Sequence, residues 1–140
     1  MKNTLILKVK IQAPQEKLYP YFLDFQKFGA LHPLITKVTK TGINTFHINE
    51  SVLLLGFIPM KPVYSVEVTE ENGAILYHSN VKKGVDLKIR ITFDEDHNSG
   101  LTTITETIHV NAIRLVAIIL LKTMKTAHAA LFDNLKKEFN

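Results

Sequence analysis

A chain of 140 residues, 46% hydrophobic and 21% charged, has the length of one domain and the balance of a globular protein, with roughly 70% of its unfolded surface to bury. It contains no cysteine, which excludes disulfides, thiol chemistry and any metal site that needs a thiolate. Its net charge is +4, but the 17 Lys and Arg are dispersed, and without a concentrated basic stripe no nucleic-acid partner is expected.

The chain opens with Leu5, Leu7, Val9 and Ile11 alternating against Ile6, Lys8, Lys10 and Gln12. Period two with one polar face predicts a half-buried strand. Lys8 and Lys10 interrupt the apolar run after three residues, too early for a signal peptide. The most apolar window, residues 112–121, contains Arg114 and is far short of the roughly 20 residues that span a bilayer. The expected location is the cytoplasm.

Ala13-Pro14 ends the first strand, and Pro14 with Glu16 suits the first turn of a helix. Leu18, Tyr21, Phe22 and Phe25 follow at helical spacing, with Pro20 expected to kink or split the helix. A second short helix is expected over residues 24–31, stopped by His32-Pro33.

Residues 35–110 read as antiparallel strands. A short strand over residues 36–41 precedes one expected over 45–55, where Phe46, Ile48, Val52 and Leu54 share a face. Residues 56–62 read as a connection with two prolines. Tyr64, Val66 and Val68 share the next face, and Glu71-Asn72-Gly73 turns the chain into a strand of ambiguous pattern over 74–81. The clearest alternation sets Val85, Leu87, Ile89, Ile91 and Phe93 inward against Asp86, Lys88, Arg90, Thr92 and Asp94. After the turn-rich residues 96–100, the last strand runs over 101–110. Asn111 is a fitting N-cap for a helix over residues 112–139, which hold no proline or glycine. That helix would be roughly 40 Å long. Ile113, Ala117, Leu120, Met124, Ala127, Leu131 and Leu135 form its stripe.

Two carboxylates break their strand patterns. Glu50 shares the face of Ile48 and Val52, and Glu106 that of Ile104 and Ile108. Alternation points both inward, where each needs a partner, a water or its proton. The alternatives are a polar anchor or acid/base group in a cavity, a residue near a strand end that reaches solvent, and a structural hydrogen bond to a helix side chain. His32 reads either as a base or donor or as a helix-end residue meeting free carbonyls. The other histidines show no metal spacing, and no nucleophile, phosphate-loop or dinucleotide motif occurs. No metal, no cofactor and no specific catalytic residue is expected.

The apolar segment 53–60 and the nearly charge-free residues 112–121 call for cover, since a helix apolar all round is buried on more than one side. The segment is expected to fold over the helix start as a lid, or to join it in a dimer contact; the alternative is a long strand pair covered by the start of that helix. Transient membrane contact is the remaining explanation.

The order of strand, split helix, six strands and long helix resembles the helix-grip fold of the START-like, birch-pollen-allergen-like and polyketide-cyclase-like superfamily. The resemblance spans the whole chain. It rests most on Ala13-Pro14-Gln15-Glu16-Lys17 opening the first helix, on Phe28 to Ile35 with His32-Pro33, and on the uninterrupted last helix. It implies an α+β domain in which a curved antiparallel sheet of about seven strands wraps the C-terminal helix. It also implies a cavity between them for an apolar small molecule or lipid. The side chains expected there are His32, Glu50, Phe57, Tyr64, Tyr77, Glu106, Leu120 and Met124. The superfamily's strand order would put two strands, or roughly 14 Å, between Glu50 and Glu106. Alternative readings are a cyclase-, dehydratase- or isomerase-like enzyme using acid/base groups in that cavity, and an interaction protein without a ligand. The expected state is a monomer or homodimer.

Overall fold

The computed structural model describes residues 3–54, 56–82 and 84–139. Strand β1 (Asn3–Ile11) leads into helices α1 (Gln15–Leu23) and α2 (Phe25–Leu31). Eight strands follow: β2 (Ile35–Lys40), β3 (Thr45–Glu50), β4 (Val52–Leu54), β5 (Ile58–Met60), β6 (Val63–Glu71), β7 (Ala74–Lys82), β8 (Val85–Asp96) and β9 (Leu101–Asn111). Helix α3 (Arg114–Glu138) closes the chain. Seven strands form one curved antiparallel sheet in the order β1-β9-β8-β7-β6-β3-β2, and β4 and β5 pair only with each other. The sheet wraps α3 in a helix-grip fold, as the element order implied.

Alternation decides what the sheet presents to the helix. In β8, Val85, Leu87, Ile89 and Ile91 are buried while Lys88 and Arg90 are exposed, the register expected from the sequence. Neighbouring β9 buries Thr102, Ile104, Glu106, Ile108 and Val110. From the helix, Ala117, Met124, Ala127, His128, Leu131, Phe132 and Leu135 are buried. Each fully buried Leu or Ile contributes on the order of 1.5–3 kcal/mol through removal from water. By length and composition α3 could cross a bilayer; here its apolar stripe packs against the sheet. The ambiguous strand β7 resolves with Ile75, Tyr77 and Ser79 inward and His78 outward. Its turn from β6 uses Asn72 and Gly73 at φ 51° and 81°, the left-handed pair that suits a two-residue hairpin.

Several boundaries differ from the sequence reading. Pro14 is the N-cap of α1 rather than its first helical residue. Pro20 lies inside α1 without ending it. The break comes at Asp24, whose side chain accepts a hydrogen bond from the Gln26 amide at 3.0 Å and caps α2. Asn111 belongs to β9, and Ile113 is the N-cap of α3 with no side-chain cap bond. The strand expected over residues 45–55 is interrupted at Ser51, whose amide donates to the Leu34 carbonyl. The expected connection contains β5, and Pro59 is tolerated there because β5 is an edge strand. Three strands (β8, β7 and β6) separate Glu106 on β9 from Glu50 on β3, roughly 19 Å along the sheet rather than 14 Å.

The apolar segment helps to close the cavity, with Val52, Leu54 and Met60 lining it beside Val116, Ile119 and Leu120 of the helix start, but it does not cover the outer face of that helix. Period two in β4 turns Val52 and Leu54 inward and Leu53 outward, and beyond it Phe57 is 72% exposed at the hairpin tip. On α3, Ile113 is 73% and Leu115 67% exposed, and only Ala117 of residues 112–121 is buried. β4 and β5 pair with each other as a two-stranded ribbon, which leaves the tip exposed.

Candidate functional site: a cavity with a buried histidine–carboxylate corner

Between the sheet and α3 lies a cavity of about 290 Å3. Most of its wall is apolar: Phe25 and Phe28 from α2, Val66 from β6, Leu87 and Ile89 from β8, and Leu120 and Met124 from α3. Aromatic packing builds the inner end. Phe28 meets Phe22, Phe25 and Tyr77 with ring centroids 5.9, 4.9 and 5.2 Å apart. Interlocked rings of this kind add to their burial energy and hold α2 against the sheet.

The polar lining is sparse, and each member has a definable state. The Tyr77 hydroxyl donates to the Phe22 carbonyl at 2.5 Å, and the Ser79 hydroxyl to the Ser65 carbonyl at 2.6 Å. The Thr123 hydroxyl donates back along its helix to Ile119 at 3.0 Å. Tyr64 donates to the carboxylate of Glu50. Burial raises the Glu50 carboxyl above its ordinary range, against the opposing pull of the Tyr64 hydrogen bond and the positive charge of His128. Burial, and then the Glu50 charge, push the Tyr64 hydroxyl well up. For Tyr77 burial leads and the Glu106 charge adds.

The last polar group is the corner formed by His32, His128 and Glu106. His32 follows α2 as its C-cap. Its Nδ1 accepts a hydrogen bond from the Leu34 amide at 3.1 Å, so it captures an amide rather than the helix carbonyls expected of it. Burial lowers its pKa from 6.5 to about 3, with the His128 charge acting in the same direction. The His32 imidazole is therefore neutral, with its proton on Nε2. His128 stands edge-on to it, ring centroids 5.2 Å apart. Its Nδ1 lies 2.5 Å from Glu106 Oε1. The contact is close but off the line of a well-directed hydrogen bond, and Glu106 Oε2 has no hydrogen-bond partner.

Of the eight side chains expected in the cavity, His32, Glu50, Tyr64, Tyr77, Leu120 and Met124 line its wall. Two do not. Phe57 projects from the hairpin tip into solvent. Glu106 is inward, fully buried and behind His128, so it reaches the cavity only through that ring. His128 also lines the cavity, and it is not among the side chains expected there. The signal was present: Met124, His128 and Leu131 are spaced i, i+4, i+7, which puts a polar ring on the buried stripe. An inward carboxylate on the last strand is its natural partner. Among the described residues no cluster of three metal-ligating side chains occurs.

No family model and no curated protein matches the sequence. Solved structures do. A conserved protein from Geobacillus kaustophilus superposes with a TM-score of 0.77 at 15% identity, covering 97% of this chain and 94% of that one. An aromatase/cyclase, ZhuI, from Streptomyces sp. R1128 gives 0.75 at 11% identity over 99% and 93%. A START superfamily protein from Mycobacterium smegmatis gives 0.71 at 13% identity over 97% and 96%. At these identities the likeness is one of fold, and that fold is the helix grip of the START-like and polyketide-cyclase-like proteins.

Proposed function

We propose that the chain binds an apolar small molecule or lipid in the cavity between the sheet and α3. The observation that carries this reading is the cavity itself: about 290 Å3 of space inside the fold, walled by apolar side chains with a few polar groups gathered around His32 and His128. That is the composition of a small-molecule site, in which apolar area provides affinity and a few polar groups provide orientation. A filled interior would have favoured a protein acting only through its surface.

The test is occupancy. Nile red, a neutral apolar dye, should bind the full chain with one-to-one stoichiometry and a blue-shifted emission. Leu120→Trp, which fills the wall from α3 without adding charge, should weaken that binding at least 10-fold while circular dichroism remains unchanged. Equal dye binding by the two proteins would place the dye elsewhere and overturn the reading.

A second reading, chemistry in the same cavity, is favoured by one feature. An imidazole backed by a buried carboxylate, as His128 is by Glu106, has the form of an oriented general base. The aromatase/cyclase among the similar structures is a precedent for chemistry on this fold. On this reading the α-protons of a bound ketone such as 2-decanone exchange with D2O faster than in free imidazole, and His128→Gln abolishes the excess. NMR signal loss measures it, and exchange no faster than in free imidazole would leave binding as the function.

A further inference from the structure

We infer that the ligand's polar end is an uncharged hydrogen-bond acceptor, an alcohol or a ketone, seated on Nε2–H of His32, and that carboxylates are excluded. This inference rests on the proposed cavity binding and adds the head-group chemistry. It follows from an account of the donors and charges on the wall.

The hydroxyl donors are already committed. Tyr64 is spent on Glu50, Tyr77 on the Phe22 carbonyl, Ser79 on the Ser65 carbonyl and Thr123 on the Ile119 carbonyl. His32 differs. Its Nδ1 accepts from Leu34, which forces the proton onto Nε2, and that N–H has no hydrogen-bond partner among the described residues. His32 lines the cavity, and a ligand that covers this N–H without offering an acceptor would forfeit on the order of 1–3 kcal/mol, so the donor favours a ligand that brings an acceptor.

The charges then decide which acceptor. Among the described residues no Lys or Arg lines the cavity. The His128 ring backs onto Glu106, whose Oε1 lies 2.5 Å from its Nδ1, so any positive charge on that ring is already balanced. Glu50 stands on the same wall. A carboxylate brought into this corner would lose its hydration, find no unbalanced cation and face two acidic side chains. Burying an unpaired charge is far costlier than burying a hydroxyl or carbonyl that gains a hydrogen bond. His128 adds a second polar contact: with Nδ1 on Glu106, only its opposite ring edge remains for the ligand.

Three ten-carbon probes that differ only at the head test this: decan-1-ol, 2-decanone and decanoate, each competing with Nile red on the full chain at pH 7. The alcohol and the ketone should displace the dye at concentrations at least 10-fold below decanoate. His32→Phe should reduce that margin by weakening the two neutral probes. Thr123→Lys, which adds a cation to the wall, should bring decanoate to parity or better. Decanoate binding as tightly as decan-1-ol to the unaltered chain would overturn the head-group inference while leaving cavity binding in place. Failure of the dye and all three probes to bind would overturn cavity binding, and this inference with it. The order of affinities in the unaltered chain decides the matter even if a variant does not fold.

Discussion

His128→Leu is expected to destabilise the fold by about 3–5 kcal/mol, because it leaves the buried Glu106 carboxyl without its partner. Glu106 has no exposed surface, and Oε2 has no hydrogen-bond partner among the described residues. The double variant Glu106→Leu, His128→Leu should recover most of the loss, and matching or exceeding the parent is an acceptable outcome. Two buried charges each lose several kcal/mol of hydration, and an imperfectly directed contact regains it incompletely. Urea unfolding of the four proteins closes the cycle. A single variant as stable as the parent would mean that Glu106 is content alone, and the pair would then have no structural role. The cycle also bears on function. A pair that two leucines can replace without loss of stability is kept for what it does at the cavity wall, where His128 is the member that lines it.

Lowering the pH from 6.5 to 5 is expected to cost about 2 kcal/mol of stability through His32 alone. The sign follows from where the proton prefers to be. In the unfolded chain His32 protonates near 6.5; in the fold it resists protonation down to about 3. Between those values the unfolded state binds more protons, so acid favours unfolding, at about 1.4 kcal/mol per pH unit. Glu50 acts in the opposite direction. Its folded pKa is raised, so between its ordinary value and that raised value the folded state holds the extra proton and gains stability as the pH falls. The two effects overlap, and the difference between the parent and His32→Gln isolates the histidine. The variant should lose stability less steeply on acidification by close to one proton's slope. Parallel pH profiles would show that His32 is solvated and titrates normally. Such a result would also weaken the head-group assignment, which needs a neutral His32 with a single buried N–H.

Much of this was legible in the sequence because it is local. The alternation in residues 85–93 decides which side chains of β8 face the helix, since successive strand residues must point to opposite faces. The 3-4 spacing along α3 decides its stripe for the same reason. The inward direction of Glu50 and Glu106 needed nothing more than their neighbours in the chain. What tertiary structure decided is whatever depends on two distant segments meeting. Glu106 and His128 are 22 positions apart in the sequence, and only the packing of α3 against β9 makes them partners. His32 acquires its neutral state from the ring of His128 and from burial, neither of which its local context contains. Residues 53–60 show the converse. Their composition calls for cover, but composition does not state where a segment goes, and β4 found its hydrogen-bond partner in β5 rather than in the helix start. A strand's unpaired amides and carbonyls must be satisfied before its side chains choose a neighbour. That choice is made in three dimensions, where the sequence pattern has no say.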